Sequence, residues 1–225
     1  MPDVNLPNRA TAHVARFLAL GDSYTIGEGV AADECWPAQL ARRLRAQGLA
    51  IGDPQIIAKT GWTTDELSAA MHTARFDPPY ALVTLLIGVN NQYRGRDLDN
   101  YRVEFSTLLA QAIALADMHA GHVVVVSIPD WGVTRFAREQ GRDPQHIAAQ
   151  IDAFNAAARS IASAQGSVWI DITMLSRAAG DAPGMLVADG LHPSAAQYAI
   201  WTDALVAGVI STQACDLLRR DAPSA

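Results

Sequence analysis

The sequence predicts an α/β fold in which a single parallel sheet is covered by helices on both faces, three layers in all. Two observations predict it. Short apolar runs alternate along the chain with longer stretches whose apolar residues recur at helical spacing, and strands alternating with helices build a parallel sheet. The central runs Tyr80–Ile87 and His122–Ile128 are apolar almost throughout, as strands buried on both faces are. With 225 residues, half of them hydrophobic, the chain suits one domain over 1–225 with a sizeable core.

Taken in order, the residues before about Ala15 are polar, carry two prolines and are expected to lie over the surface. Arg16–Leu20 is the first strand, broken at Gly21. Cys35–Gln47 is a helix, with Trp36, Leu40 and Leu44 on one face and Gly48 ending it. Gln55–Ala58 is a short second strand that runs into Gly61. Thr63 and Glu66 have the spacing of a capping box for the helix that carries Leu67, Ala70 and Met71. Asp77-Pro78-Pro79 breaks the chain before the third strand, Tyr80–Ile87. Leu98–Ala120 is a long amphipathic helix, with Tyr101, Phe105, Leu108, Leu109, Ala112 and Leu115 inward. The valine-rich fourth strand, His122–Ile128, leads to Pro129-Asp130-Trp131-Gly132. Gln145–Gln165 is the next helix, Val168–Ile172 the fifth strand, Thr173–Gly184 a loop-rich stretch with a short helix, and Ser194–Leu217 the closing helix.

Composition excludes several classes. A formal net charge of −6 disfavours a nucleic-acid partner. No apolar run reaches eighteen residues, so no transmembrane helix is expected. The N-terminus lacks the basic and apolar regions of a secretory signal, and a cytoplasmic protein is the expectation. Cys35 and Cys215 read as two unpaired thiols. The other histidines, His13, His72, His119, His122 and His146, have no metal-ligand spacing with another ligand type, so neither a metal nor a cofactor is expected.

The chemistry gathers at the ends of the apolar runs. Ser23 follows the first strand beside Asp22, in a loop where Gly21, Gly27 and Gly29 let the backbone turn and approach a ligand. A serine becomes a nucleophile only with a base, and the base needs an acid to orient it. Asp189-Gly-Leu-His192 brings both within one local turn, and Pro193 suits the start of the helix that follows. Ser23 is not in a Gly-x-Ser-x-Gly elbow, because Thr25 occupies the last position, which argues against an α/β-hydrolase fold. A phosphate- or nucleotide-binding module at Gly21–Gly29 is the rival from another class. It lacks both Gly-x-Gly-x-x-Gly spacing and a following Gly-Lys-Ser/Thr, and it leaves Asp189 and His192 without a role.

Four blocks in order, Gly21-Asp22-Ser23, Gly61, Gly88-Val89-Asn90 and Asp189-Gly-Leu-His192, resemble those of the GDSL-type, or SGNH, hydrolases, over almost the whole chain. The resemblance implies a flavodoxin-like three-layer fold with strand order 2-1-3-4-5. It also implies hydrolysis of carboxylic esters through an acyl-serine intermediate. On it, Ser23 is the nucleophile, His192 the base and then acid, Asp189 the orienting acid, and Ser23 and Gly61 N–H with the Asn90 amide the oxyanion hole. The implied partner is a small ester: a simple acyl ester, an O-acetylated sugar, a lysophospholipid or a thioester. Acyl transfer to an alcohol stands as an alternative to hydrolysis. Tyr24, Trp62, Tyr93 and Trp131 each follow a different strand and are expected to rim the site, with Arg94 at its mouth. The family's third block reads Gly-x-Asn-Asp, whereas here Asn91 replaces the acid. That touches a contact behind the site rather than the Asn90 donor, and the substitution Asn91→Asp is expected to be tolerated.

Overall fold

A computed structural model describes residues 14–212, 215, 218 and 219. Five strands, β1 (Ala15–Gly21), β2 (Ile51–Ala58), β3 (Leu82–Leu86), β4 (Val123–Val126) and β5 (Val168–Ile170), form one parallel sheet in the order β2-β1-β3-β4-β5. The longer helices between strands are α2 (Trp36–Ala46), α3 (Thr64–Thr73), α5 (Leu98–Leu115) and α7 (Pro144–Ala164), and α9 (Ala195–Ile210) follows β5. The chain steps from β1 outward to β2, then back across β1 to β3, β4 and β5. Right-handed crossovers therefore put α2 on one face and α3, α5 and α7 on the other. The contacts agree: α2 packs on α9, while α5 packs on both α3 and α7. Every residue of β3 and β4 is buried, which is why those runs are apolar without alternation.

Several boundaries move from their expected places, each for a local reason. β2 begins at Ile51, four residues before the expected start at Gln55, despite Gly52 and Pro54. It is an edge strand with a register shift opposite Ala15 and Phe17, where proline is tolerated. α5 stops at Leu115 rather than Ala120, because Asp117 and Met118 take positive φ and cannot continue a right-handed helix. α9 ends at Ile210 with Ser211 as its cap, short of the expected Leu217, which lies outside the described residues. The expected surface course of the first residues also lies outside them, apart from exposed Val14. Cys35 and Cys215 are buried and unpaired. The capping box forms as the spacing predicts, with the Thr63 N–H donating to Glu66 at 2.9 Å.

Four short helices have no periodic signal, being too short to show one: α1 (Ser23–Ile26), α4 (Val89–Tyr93), α6 (Arg135–Glu139) and α8 (Thr173–Ala179). Three of them, α1, α4 and α8, start in the loops that leave β1, β3 and β5. Gly21 pairs with Ala58 on one side and Leu86 on the other, so β1, β2 and β3 end level. The loops carrying Ser23, Gly61 and Asn90 thus open on one edge, at the point where the strand order reverses, which is where open α/β sheets place ligands.

Candidate active site

Ser23 is the first residue of α1, and Asp22 caps that single turn with its Oδ1 accepting from the Tyr24 N–H at 3.0 Å. The first N–H groups of a helix have no partner within it. The Ser23 N–H accordingly finds no acceptor among the described residues and stays available beside its own hydroxyl.

His192 reaches Ser23 from the loop before α9. That loop is folded on itself: the Val187 N–H donates to the His192 carbonyl at 2.9 Å, and Leu186 and Pro193 form an antiparallel bridge. Gly190 turns the chain at φ 71°, and any Cβ there would meet the Arg135 guanidinium at 2.7 Å. Asp189 Oδ1 accepts from the N–H groups of Leu191 and His192 at 2.8 and 3.0 Å, which aims its Oδ2 at the imidazole. The His192 Nδ1–H donates to that Oδ2 at 2.6 Å, and the Ser23 hydroxyl donates to Nε2 at 3.0 Å. The tautomer follows from chemistry, since a carboxylate only accepts and must face the protonated nitrogen. Burial alone would raise the Asp189 carboxyl, but the hydrogen bonds from His192 and from the Leu191 and His192 N–H groups outweigh it and hold it below its ordinary range. A hydroxyl, an imidazole and a carboxylate so linked are the parts of an activated nucleophile.

Gly61 and Asn90 border the same cavity as Ser23 and His192. Gly61 turns at φ 84°, its N–H meets no acceptor among the described residues, and its carbonyl accepts from Arg94 at 2.5 Å. Asn90 lies in α4 and commits one amide proton to the Trp62 carbonyl at 3.0 Å, leaving the other for a ligand.

The cavity holds about 210 Å³ and is walled by Tyr24, Tyr93, Trp131, Phe136 and Leu191. Three of the four expected rim aromatics are there. Trp62 is the exception: it is not among the lining residues and packs, partly buried, against the core, while its carbonyl accepts from Asn90. Phe136 takes the place in the wall that Trp62 was expected to fill. Its one local signal is Thr134, which caps α6 by accepting from the Ala137 N–H, a short helix start in a stretch without periodicity. Trp131 is held by its indole N–H donating to Gln92 at 2.8 Å, and it meets Tyr93 edge-on at 5.3 Å. Arg94 does not stand free at the mouth. It binds the Gly61 carbonyl and pairs with Glu66 at 3.3 Å.

Asp22, next to Ser23 in the chain, is not among the cavity's lining residues. It is fully buried, its Oδ2 has no hydrogen-bond partner among the described residues, and burial pushes its carboxyl up to about 7 against the pull of the Tyr24 N–H.

The family model of the GDSL-like lipase/acylhydrolase family matches residues 19–200. A search of the curated proteins found no match. Solved structures share the fold. A lipase/acylhydrolase from Enterococcus faecalis superposes with a TM-score of 0.68 at 19% identity, covering 86% of this chain and 94% of that one. The esterase EstA from Pseudoalteromonas sp., inhibited by monoethylphosphonate, superposes at 0.64 with 17% identity, covering 86% and 96%. A single-site variant of Axe2, an acetyl-xylooligosaccharide esterase from Geobacillus Stearmophilus, superposes at 0.65 with 18% identity, covering 87% and 95%. None of the helices among the described residues is long and apolar enough to cross a membrane.

Proposed function

The chain belongs to the GDSL-like lipase/acylhydrolase family and is a hydrolase of ester bonds; from that premise we propose that it is a serine esterase working through an acyl-Ser23 intermediate on esters of short acyl groups. The observation that carries the reading is the line from Asp189 through His192 to Ser23, with spacings of 2.6 and 3.0 Å.

The Ser23 hydroxyl passes its proton to His192 Nε2 as Oγ attacks the ester carbonyl carbon. Asp189 keeps the imidazole in the tautomer that can accept this proton and stabilises the imidazolium. The carbonyl oxygen gains its negative charge where the Ser23 and Gly61 N–H groups and the free Asn90 amide proton converge. Collapse of the tetrahedral intermediate breaks the ester bond, and the leaving alcohol takes the proton from Nε2. Water then repeats the sequence: it gives a proton to Nε2, attacks the acyl carbon, and Ser23 Oγ leaves with that proton. Tyr24, at 5.5 Å from the His192 ring, shields the base from bulk water.

A cavity of about 210 Å³ walled by aromatic rings suits a short acyl chain better than a long one. An O-acetylated carbohydrate is the second reading. One observation favours it: Tyr93 remains 41% exposed at the edge of the cavity, an aromatic edge that a sugar can meet beside the Arg142 guanidinium lying over its ring.

The test is a series of p-nitrophenyl esters of increasing acyl length, run beside acetylated sugars and with added acceptor alcohols. Acetyl and butyryl esters should be preferred over octanoyl, and Ser23→Ala should lose activity by a factor on the order of 10⁴ or more. A Ser23→Ala protein with most of its activity would overturn the mechanism. A preference for octanoyl would overturn the short-acyl reading, and transfer product outrunning acid would make the enzyme an acyltransferase.

A further inference from the structure

We infer that Glu104, acting through the Thr64 hydroxyl and the Asn91 amide, is a positioning residue for Asn90, and that this hydrogen-bond chain has a direction that requires an amide rather than an acid at 91. The inference rests on the reading of Asn90 as an oxyanion donor.

α4, which carries Asn90, is five residues long. A helix of barely one turn does not hold itself in place, so its position is set by what it touches. It touches the segment carrying Gly61 at three places. Asn90 donates to the Trp62 carbonyl, Arg94 (the C-cap of α4) donates to the Gly61 carbonyl, and Asn91 pairs twice with Thr64. Asn91 and Thr64 are both fully buried, so their polar atoms depend on each other rather than on water.

The direction of each bond can be worked out. The Thr64 backbone N–H can only donate, and Asn91 Oδ1 accepts it at 3.1 Å. That fixes the orientation of the Asn91 amide, so its Nδ2 donates to Thr64 Oγ1 at 2.7 Å. The hydroxyl has one proton, and it goes to Glu104 Oε2, which as a carboxylate only accepts. Glu104 is held in turn by Asn100, whose amide donates to Oε1 at 2.7 Å. With its proton committed to α5, Thr64 presents a lone pair to position 91, and the residue there must be a donor.

An aspartate at 91 meets that lone pair with a second acceptor. Two carboxylates then compete for one proton, and a buried oxygen goes unpaired. The expectation that Asn91→Asp is harmless therefore reverses. Adding Glu104→Gln in that background supplies the missing donor from the other end. The amide nitrogen introduced at 104 donates to Thr64 Oγ1, and the hydroxyl proton turns to the carboxylate introduced at 91. The chain is complete again with its direction reversed. In the wild-type background Glu104→Gln keeps the original direction: the amide oxygen accepts from Thr64 as the carboxylate did, and the exposed Asn100 amide turns over so that its Oδ1 accepts from the amide nitrogen introduced at 104.

The experiment measures kcat, KM and melting temperature for Asn91→Asp, Glu104→Gln, their combination and Asn90→Ala, on one activated short-chain ester. Asn91→Asp should lower kcat by about tenfold, part of the roughly 10²- to 10³-fold that outright loss of one oxyanion donor costs, and lower the melting temperature, with KM within about twofold. Glu104→Gln should stay near wild type, and the double variant should recover to within about threefold. If Asn91→Asp fails to fold, Glu104→Gln should restore folding. Wild-type kcat in a folded Asn91→Asp protein, a loss confined to KM, or a double variant no better than Asn91→Asp would each overturn the inference. A crippled Asn90→Ala beside an unaffected Asn91→Asp would overturn it alone. Wild-type kcat in Asn90→Ala would overturn the oxyanion reading and the inference with it.

Discussion

Asp22→Asn should make the protein less sensitive to rising pH, and the size of the effect can be worked out. An aspartyl carboxyl ordinarily titrates at 3.8, and burial pushes this one to about 7. Between those values the folded chain holds a proton that the unfolded chain has released. Stability rises with pH only where the unfolded state binds more protons, so here it falls as pH rises. The protonated carboxyl's contribution is fully present below about 4 and is lost as pH climbs through about 7, the folded value. The whole shift corresponds to about 4 kcal/mol at 1.36 kcal/mol per pH unit. Roughly 2 to 3 kcal/mol of that falls between pH 5 and pH 8 by the same linkage relation. Asparagine copies the protonated acid: its Oδ1 can still accept from the Tyr24 N–H, and its amide takes the place of the unpartnered Oδ2. Urea unfolding of both proteins at several pH values between 5 and 8 is the assay. The wild type should lose roughly 2 to 3 kcal/mol relative to Asp22→Asn across that range, or roughly 5–10 °C in melting temperature for a chain of this size. Comparison with the variant cancels the titration of every other group, Asp189 included. A stability difference that stays constant within about 0.5 kcal/mol over the range would refute the reasoning. It would mean that Asp22 ionises normally inside the fold, with a charge partner or water at Oδ2.

Two further outcomes test the site itself. Asn90→Ala should lower kcat by about 10²- to 10³-fold with little change in KM, because in the proposed mechanism its free amide proton meets an oxygen that becomes fully charged only in the tetrahedral intermediate. Steady-state kinetics on an activated ester would check it, and a loss confined to KM would make Asn90 a ground-state contact. Phe136→Ala should deepen the cavity and improve kcat/KM for longer acyl esters by about fourfold per added methylene, the ratio expected from about 0.8 kcal/mol per buried CH₂. An unchanged chain-length profile would mean that the acyl group does not reach Phe136.

Much of this molecule is legible in the residues alone. The sheet is legible because a strand buried on both faces cannot afford polar positions, and Leu82–Leu86 and Val123–Val126 show it. The longer helices declare themselves by a period that repeats often enough to be counted. Ser23, Gly61, Asn90 and His192 can be singled out because their four blocks, in order, resemble those of the family, and each block sits where a strand ends or a helix begins. Composition and spacing cannot carry the rest. Ser23 and His192 are 169 positions apart, and only the level ends of β1, β2 and β3 and the fold of the loop before α9 decide that their atoms lie 3.0 Å apart. Phe136 lines the cavity and Trp62 does not, although neither position breaks the pattern of its stretch. Asn91 reads in the sequence as a lost carboxylate, and only the fold sets Glu104 on the other side of the Thr64 hydroxyl. Periodicity reports how much of a residue is buried, because burial repeats along an element. It cannot report which donor faces which acceptor, because hydrogen bonds act over a few ångströms and their partners arrive from segments whose register only the folded chain sets.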